Sequence, residues 1–384
     1  MTQTPETVRN PSDREKSLKH ISIIMKKTLI ACTLLIGTAS WLQAQTLPEF
    51  VMDQAEETFK RYIQWKGGEE TLVFPILTDI HTGWGADRNE NYRHFGYMAA
   101  TDRLWGYDFM ANLGDIGLNG GPAHETAEAA DDLILRTKEQ MGQYNGVWIY
   151  APGNHDWDGG GGRHLTSTFL SDVFQKPSER FAGDNLHIVE GRAYGYYDIP
   201  AKQVRVVFLN SEGTETQGDN YYTFDNEQLA WLTDLLRDTR KGTDIVVLAH
   251  YQPHPIGRWT SVKDAKRPTC EVLCHLLGDF ANRRKGGELG LSWNFRSSKG
   301  RLVGLFCGDT HCNQQLLDDG VNYYITQGLG FVSPKEMLPG QTHADCNFTQ
   351  SLCCDVIAIK LDSKQVHTFR IGAGGKQYDL EFGY

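Results

Sequence analysis

Five short clusters of metal-binding residue types, each directly after an apolar, strand-like run, constrain this chain more than any other feature. Asp79-Ile80-His81 follows the run 72–77, Gly114-Asp115 follows 109–113, and Gly153-Asn154-His155-Asp156 follows 147–151. His250 follows 245–249, and Gly308-Asp309-Thr310-His311 follows 302–307. Short apolar runs bounded by polar loops read as buried strands, and in open α/β sheets a ligand site lies beyond the carboxyl ends of the strands. The clusters are therefore expected to meet at one sheet edge. Their carboxylates, amide and imidazoles supply enough oxygen and nitrogen donors for two divalent cations about 3.5–4 Å apart, the arrangement that clamps an in-line displacement at phosphorus.

Helical spacing of apolar residues at 53–65, 91–104, 125–144, 226–240 and 270–281 separates these strands, and 204–209 adds another strand. Strand and helix alternating through the first three clusters give the βαβαβ order of a parallel sheet with covered faces. Leu229, Trp231, Leu232, Leu235 and Leu236 form the core-facing stripe of one helix. Strands at 321–325, 355–361 and 366–371 are expected to complete a second sheet. The predicted fold class is α/β, with two stacked mixed β-sheets flanked by helices. No internal repeat, long charge run or Pro- or Ser-rich linker divides the chain. One catalytic domain, 45–384, is the economical expectation, with its motif core at 72–311 and its last strands within 321–384. The glycine run 159–162 reads as a flexible loop, since no strand-to-helix context supports a phosphate cradle there.

The order Asp-x-His, Gly-Asp, Gly-Asn-His-Asp, an isolated His after a hydrophobic strand and a late Gly-x-x-His resembles the calcineurin-like metallophosphoesterase superfamily. Each motif alone is weak, but all five in order at strand ends are specific. The resemblance implies a metallophosphoesterase-like βα sandwich with two divalent metal ions. It implies that Asp115 bridges the ions, that Asp79, His81 and His311 complete the ligands of the first, and that Asn154, His250 and Asp309 complete those of the second. A hydroxide held on these ions, the pKa of its parent water lowered from about 15.7 toward 7, would attack phosphorus with no covalent enzyme intermediate. His155 would steady or protonate the leaving oxygen. Hydrolysis of a small phosphomonoester or phosphodiester is the expected activity. An exported binding protein that keeps the fold without turnover is the alternative.

Two positions depart from the family pattern. The last motif usually reads Gly-His-x-His, and Asp309 stands in place of its first His. A carboxylate is a harder, anionic ligand, which shifts preference from zinc toward manganese, magnesium or ferrous iron, with manganese favoured. An Asp or Asn usually follows the metal-binding Asp by three or four residues, and here Leu118 and Asn119 occupy those positions. Leu118 cannot orient an imidazole, which leaves Asn119 or Asp156 to orient His155.

Substrate contacts are expected from the loops that follow the motif strands: Trp84, Arg88, Tyr92 and His94, then Trp157 and Arg163, then Arg258, Trp259 and Lys263. His254 has helical spacing from His250, but Pro253 and Pro255 exclude a regular helix, so it reads as a loop residue near substrate. His254, Arg258 and Trp157 are the leading substrate-binding candidates. Aromatic rings beside arginine could hold the base and phosphate of a nucleotide-like ester.

Met25-Lys26-Lys27, the apolar stretch 28–40 and Leu42-Gln43-Ala44 before Gln45 resemble a secretory signal that starts at Met25 and is cleaved after Ala44. The stretch is shorter than the roughly 20 residues that span a bilayer, so no stable membrane insertion is expected. Leu29-Ile30-Ala31-Cys32 looks like a lipoprotein box but lies too close to Lys27, which makes a secreted or periplasmic protein the expectation. The formal charge is −10, and the basic excess of 1–44 makes 45–384 more acidic still. That balance disfavours nucleic acid and anionic membranes as partners. Beyond Cys32 lie Cys270, Cys274, Cys307, Cys312, Cys346, Cys353 and Cys354, an odd set that leaves at least one free thiol in an oxidised monomer. No Cys-x-x-Cys pair accompanies Cys307 and Cys312, so these read as buried strand-end cysteines rather than zinc ligands.

Overall fold

The apolar runs before the motifs form strands with almost every side chain buried, as strands covered on both faces must be. The computed structural model describes residues 49–84, 89–212, 223–255, 268–328 and 352–384, all within one compact unit, Pro48–Tyr384. The expected signal segment, Arg88, Arg258, Trp259, Lys263 and Cys346 lie outside the described residues.

In chain order the strands are β1 (Thr71–Leu77), β2 (Met110–Asn112), β3 (Trp148–Tyr150), β4 (Leu186–Ile188), β5 (Gly195–Ile199), β6 (Val204–Phe208) and β7 (Asp244–Leu248). A short pair, β8 (Lys285–Gly286) and β9 (Trp293–Asn294), precedes β10 (Arg301–Cys307), β11 (Gln314–Asp318), β12 (Val321–Ile325), β13 (Cys353–Lys360), β14 (Gln365–Gly372) and β15 (Leu380–Gly383). The first sheet has the order β15-β14-β13-β1-β2-β3, and the second β11-β12-β10-β7-β6-β5-β4. Parallel pairing joins β1 to β2 and β2 to β3, and likewise β6 to β7, β7 to β10 and β10 to β12. The carboxyl ends of the motif strands consequently share one edge of the sandwich.

One expectation is corrected. The strands near 355–361 and 366–371 do not complete the second sheet; they extend the first. β13 lies antiparallel beside β1, from Thr71 opposite Lys360 to Ile76 opposite Asp355, and β14 pairs with β13. β1 is buried at every position, so its backbone groups need a ladder on both sides, and the returning chain end supplies the second one. Of the three late strands only β12 enters the second sheet.

The facing sheets enclose Phe74, Phe109, Val206, Val246, Phe306 and Tyr324. Phe74 stacks on Phe109 at 4.4 Å and meets Phe306 edge-on at 6.2 Å. The helices are α1 (Glu49–Lys66), α2 (Arg93–Trp105), α3 (Gly121–Glu125), α4 (Ala127–Met141), α5 (Ser167–Phe174), α6 (Glu179–Ala182), α7 (Asn226–Asp238) and α8 (Pro268–Ala281). α7 and α8 cover the second sheet with Leu229, Leu232, Leu236, Leu273 and Leu276. α1 sets Tyr62 and Trp65 against Phe369 of β14. Helix boundaries follow local chemistry. Thr126 Oγ1 accepts from Ala129 N at 3.2 Å to start α4, and Asp225 Oδ1 accepts from Gln228 N at 2.7 Å to start α7. α2 ends where Gly106 turns to φ 62° and its N–H reaches Asp102 O at 2.7 Å. The six described cysteines are free thiols, five of them buried. Among the described residues no helix is long and apolar enough to cross a membrane.

Candidate metal centre

Each motif leaves its strand through a sharp backbone turn. Asp79, His81, Asp115, Asp309 and His311 have φ of 53°, 45°, 57°, 65° and 50°, half of the ten described non-glycine residues with positive φ. Left-handed backbone costs such residues on the order of 1–3 kcal/mol each and persists where surrounding structure dictates it. The turns are tied across the edge: Asp79 N donates to Gly114 O and His81 N to Asp115 O, both at 3.0 Å, and Gly308 N donates to His250 O at 2.9 Å. Gly153 packs so close to Asp115 that a Cβ there would collide with Oδ1.

These turns bring together all seven residues expected to bind metal. His81 Nε2 lies 3.2 Å from His311 Nε2 and 4.0 Å from Asp79 Oδ1, and His311 Nε2 lies 3.2 Å from the same oxygen. On the other side, His250 Nε2 is 3.0 Å from Asn154 Oδ1 and 3.7 Å from Asp309 Oδ1. Asp115 Oδ2 sits between the groups, 3.6 Å from His81 Nε2 and 3.4 Å from His250 Nε2. Its other oxygen, Oδ1, accepts from His155 N at 2.8 Å. A single carboxylate oxygen therefore faces both groups, rather than one oxygen facing each.

The donor set fits a pair of divalent cations. Asp79 Oδ2 accepts from Asp309 N at 3.1 Å, while Asp79 Oδ1 is buried and faces the two imidazoles. His250 Nδ1 donates to Leu113 O at 2.5 Å, which turns Nε2 toward the cluster, the usual support of a metal-binding imidazole. Asp79, His81, Asp115 and His250 are almost wholly buried, and two triads, Asp79/His81/His311 and Asp79/Asp115/His250, have all ligand atoms within 4.8 Å.

Electrostatics point the same way. Burial pushes the Asp115 carboxyl up, but His250 and the other imidazoles more than offset this and hold it well below the usual carboxylate range. Burial drives His81 down to about 3 despite Asp115, which keeps its ring neutral and able to donate a lone pair. Burial opposes a proton on His250, yet Asp115 and Asp309 raise that imidazole well above its ordinary value. The aspartates thus draw positive charge into a buried site.

Around the donors, Asp156 and Asn119 divide the work that sequence left open between them. Asn119 Oδ1 accepts from His155 Nδ1 at 2.8 Å, so Asn119 orients the imidazole. Asp156 instead takes backbone N–H groups from both motif turns: Asp115 N at 2.9 Å, Ile116 N at 2.8 Å and Gly153 N at 3.0 Å. The His155 ring stands 5.3 Å from that of His81, and Trp84 lies against both, at 4.7 Å and 4.5 Å.

The expected substrate residues fare differently. His254 Nε2 lies 3.0 Å from Asp318 Oδ2 and its ring packs on Tyr323 at 4.6 Å, an anchoring contact to the second sheet. Trp157 lies 5.6 Å from the His164 ring. Arg163 bonds Asp131, and Tyr92 Oη accepts from Arg136 at 3.2 Å. His94 is buried beside Tyr97. One residue escaped sequence reasoning: Glu212, just past β6, whose carboxyl is pushed up to about 8 by burial, while His250 opposes that rise and Asp115 adds to it. Its Oε1 accepts from Ser211 Oγ at 3.0 Å, and its Oε2 is buried without a hydrogen-bond partner among the described residues. The signal was its place after an apolar run parallel to the His250 strand.

A layered α/β sandwich with clustered Asp, Asn and His donors at one edge defines the class of dinuclear metallophosphoesterases. The sequence profile of calcineurin-like phosphoesterases matches residues 73–313, and the chain belongs to that family. A dimetal phosphatase from Danio rerio shares the fold, with 13% identity and a TM-score of 0.51 over 82% of this chain and 99% of that one. A purple acid phosphatase from yellow lupin (Lupinus luteus) seeds superposes with a TM-score of 0.49 and 13% identity over 83% of this chain and 54% of that one. Curated protein sequences gave no match. The family implies a dinuclear divalent metal centre and a phosphoester hydrolase.

Proposed function

We propose that this chain is an exported hydrolase of small phosphomonoesters or phosphodiesters, with Asp79, His81 and His311 holding one cation, Asn154, His250 and Asp309 the other, and Asp115 between them. The observation that carries this is the position of Asp115 Oδ2, 3.6 Å and 3.4 Å from imidazole nitrogens of the two separate groups. Bound there, two divalent ions supply an activated water nucleophile and charge stabilisation at the phosphoryl group. The protein's own residues do the rest. Leu113 O and the backbone N–H groups of His155 and Asp309 fix the directions of His250, Asp115 and Asp79. Asn119 holds Nδ1 of His155 as the donor nitrogen, which leaves Nε2 to deliver a proton to the leaving oxygen. Asp309 in place of an imidazole supports manganese over zinc, with magnesium or ferrous iron next. The net negative charge supports small esters over nucleic acid. The segment 25–44 supports export to a secreted or periplasmic location.

The test is hydrolysis of a chromogenic phosphomonoester and its diester, side by side, by the protein loaded with manganese, with Asp115→Asn as control. Turnover that the control abolishes is the expected result, and the ratio of the two rates assigns mono- or diesterase. No turnover on either ester with two manganese ions bound, or equal turnover in the control, would overturn the proposal.

A further inference from the structure

Asn119 fixes one atom of the His155 ring, and one hydrogen bond does not fix a plane. A ring held at Nδ1 alone still swings about that contact, and Nε2, the atom that meets the leaving group, sweeps through the widest arc. Trp84 lies where it blocks this motion. Its ring stands 4.7 Å from that of His155 at an interplanar angle of 76°, edge against face, and 4.5 Å from that of His81 at 50°. The same indole therefore touches the proposed proton donor and a proposed metal ligand, whose rings are 5.3 Å apart.

The chain is shaped to seat this indole. Trp84 N donates to His81 O at 3.2 Å, a turn that Gly83 permits with φ 82°. A Cβ on Gly120 would collide with the indole. Gly120 directly follows Asn119, so one short loop both holds the Nδ1 side of His155 and clears the space for the ring that packs against it.

We propose that Trp84 is a positioning residue for His155, forming with Asn119 a two-sided clamp that aims Nε2 at the leaving oxygen; the inference rests on the phosphoesterase assignment above. In the step concerned, oxygen from water bonds to phosphorus after losing a proton to solvent, and the ester P–O bond breaks with its electron pair on the leaving oxygen. That oxygen takes the Nε2 proton of the His155 imidazolium, and solvent reprotonates the ring. A nitrophenolate leaves as a stable anion and needs no such proton, whereas an alkoxide does.

The experiment compares the unaltered protein, Trp84→Ala and Trp84→Phe, all with manganese, on 4-nitrophenyl phosphate and glycerol phosphate. Displacing a reacting group by about 1 Å costs up to about 10²-fold. Trp84→Ala is expected to lower kcat for glycerol phosphate at least about tenfold more than for the nitrophenyl ester, with KM and bound manganese unchanged. Trp84→Phe, which keeps a ring against His155, is expected to restore most of the loss. Equal losses on both esters, a loss that tracks manganese content, no loss at all, or no rescue by Phe would overturn the clamp. No turnover by the unaltered protein on these monoesters or on the corresponding nitrophenyl and glycerol diesters would defeat the phosphoesterase assignment and the clamp together, whereas an unaltered protein that turns over while its variants show any of the overturning patterns above defeats the clamp alone.

Discussion

Asp309 shows how a single side chain sets the character of the centre. It lies 3.7 Å from His250 Nε2, and its backbone N–H supports Asp79, so its carboxylate adds negative charge where the family pattern carries a neutral ring. Asp309→His should therefore raise turnover with zinc relative to manganese, read by reconstituting the variant with each metal in turn; an unchanged ratio would count against a ligand role. At this scale the grouping of these side chains was legible because each stands within four residues of an apolar run, while their assignment to two metal ions came from the family resemblance. Glu212 obeys the same rule and was passed over because β6 carried no recognisable motif. The left-handed φ of Asp79, His81, Asp115, Asp309 and His311 was not legible, since Asp and His adopt that backbone more readily than most residues but do not require it. Tertiary hydrogen bonds between the turns impose it.

Between elements, Asp156 acts as the fastener of the first sheet's motif edge. One carboxylate takes N–H groups from the turn after β2 and from the turn after β3, and Tyr150 Oη donates to it at 3.2 Å. Asp156→Ala leaves those buried donors without an acceptor, at about 1–3 kcal/mol each. It also frees Asp115 and Asn154 to drift apart. We expect manganese affinity to fall about 10–100-fold, as for other supports of metal ligands, with Asp156→Asn retaining part of it. Titration of manganese by calorimetry checks this, and unchanged affinity would show that the two turns hold themselves. The central strands and helices were legible from short apolar runs and helical spacing, and β12 falls where a late strand was expected. β4, β5, β11 and β15 were not, because they are short, partly exposed strands at or next to a sheet edge, whose pairing is decided by neighbours rather than by their own pattern. The placement of β13 and β14 was misjudged for a related reason: local pattern says that a strand forms but not which sheet receives it.

Across the whole molecule the sandwich is fastened at both edges by buried charge. Away from the metal centre, Asp244 at the start of β7 accepts from Arg301 Nε at 2.6 Å, Lys364 Nζ at 2.8 Å and Tyr384 Oη at 2.9 Å, which joins the second sheet to the chain end of the first. Toward the motif edge, Asp355 of β13 pairs with Arg370 of β14 at 2.6 Å and takes hydroxyl groups from Tyr324 and Thr326 of the opposite sheet at 2.7 Å and 2.6 Å. Burial raises the Asp355 carboxyl, and Arg370 more than offsets this, so it ends below the ordinary carboxylate value. Because the native value is lowered, its stabilisation is complete above about pH 4 and is lost as pH falls through the native value. Arg370→Met strands a buried carboxylate and should cost about 3–5 kcal/mol at neutral pH. Without the guanidinium, burial acts on Asp355 against only the Tyr324 and Thr326 hydroxyl groups and raises its pKa, so the variant regains stability by taking up a proton as pH falls. The gap between the two proteins should accordingly narrow toward pH 4, measured by urea unfolding across that range. A gap that held constant with pH would mean that Arg370 acts through packing, and the two sheets would then be joined at this edge by shape rather than by charge.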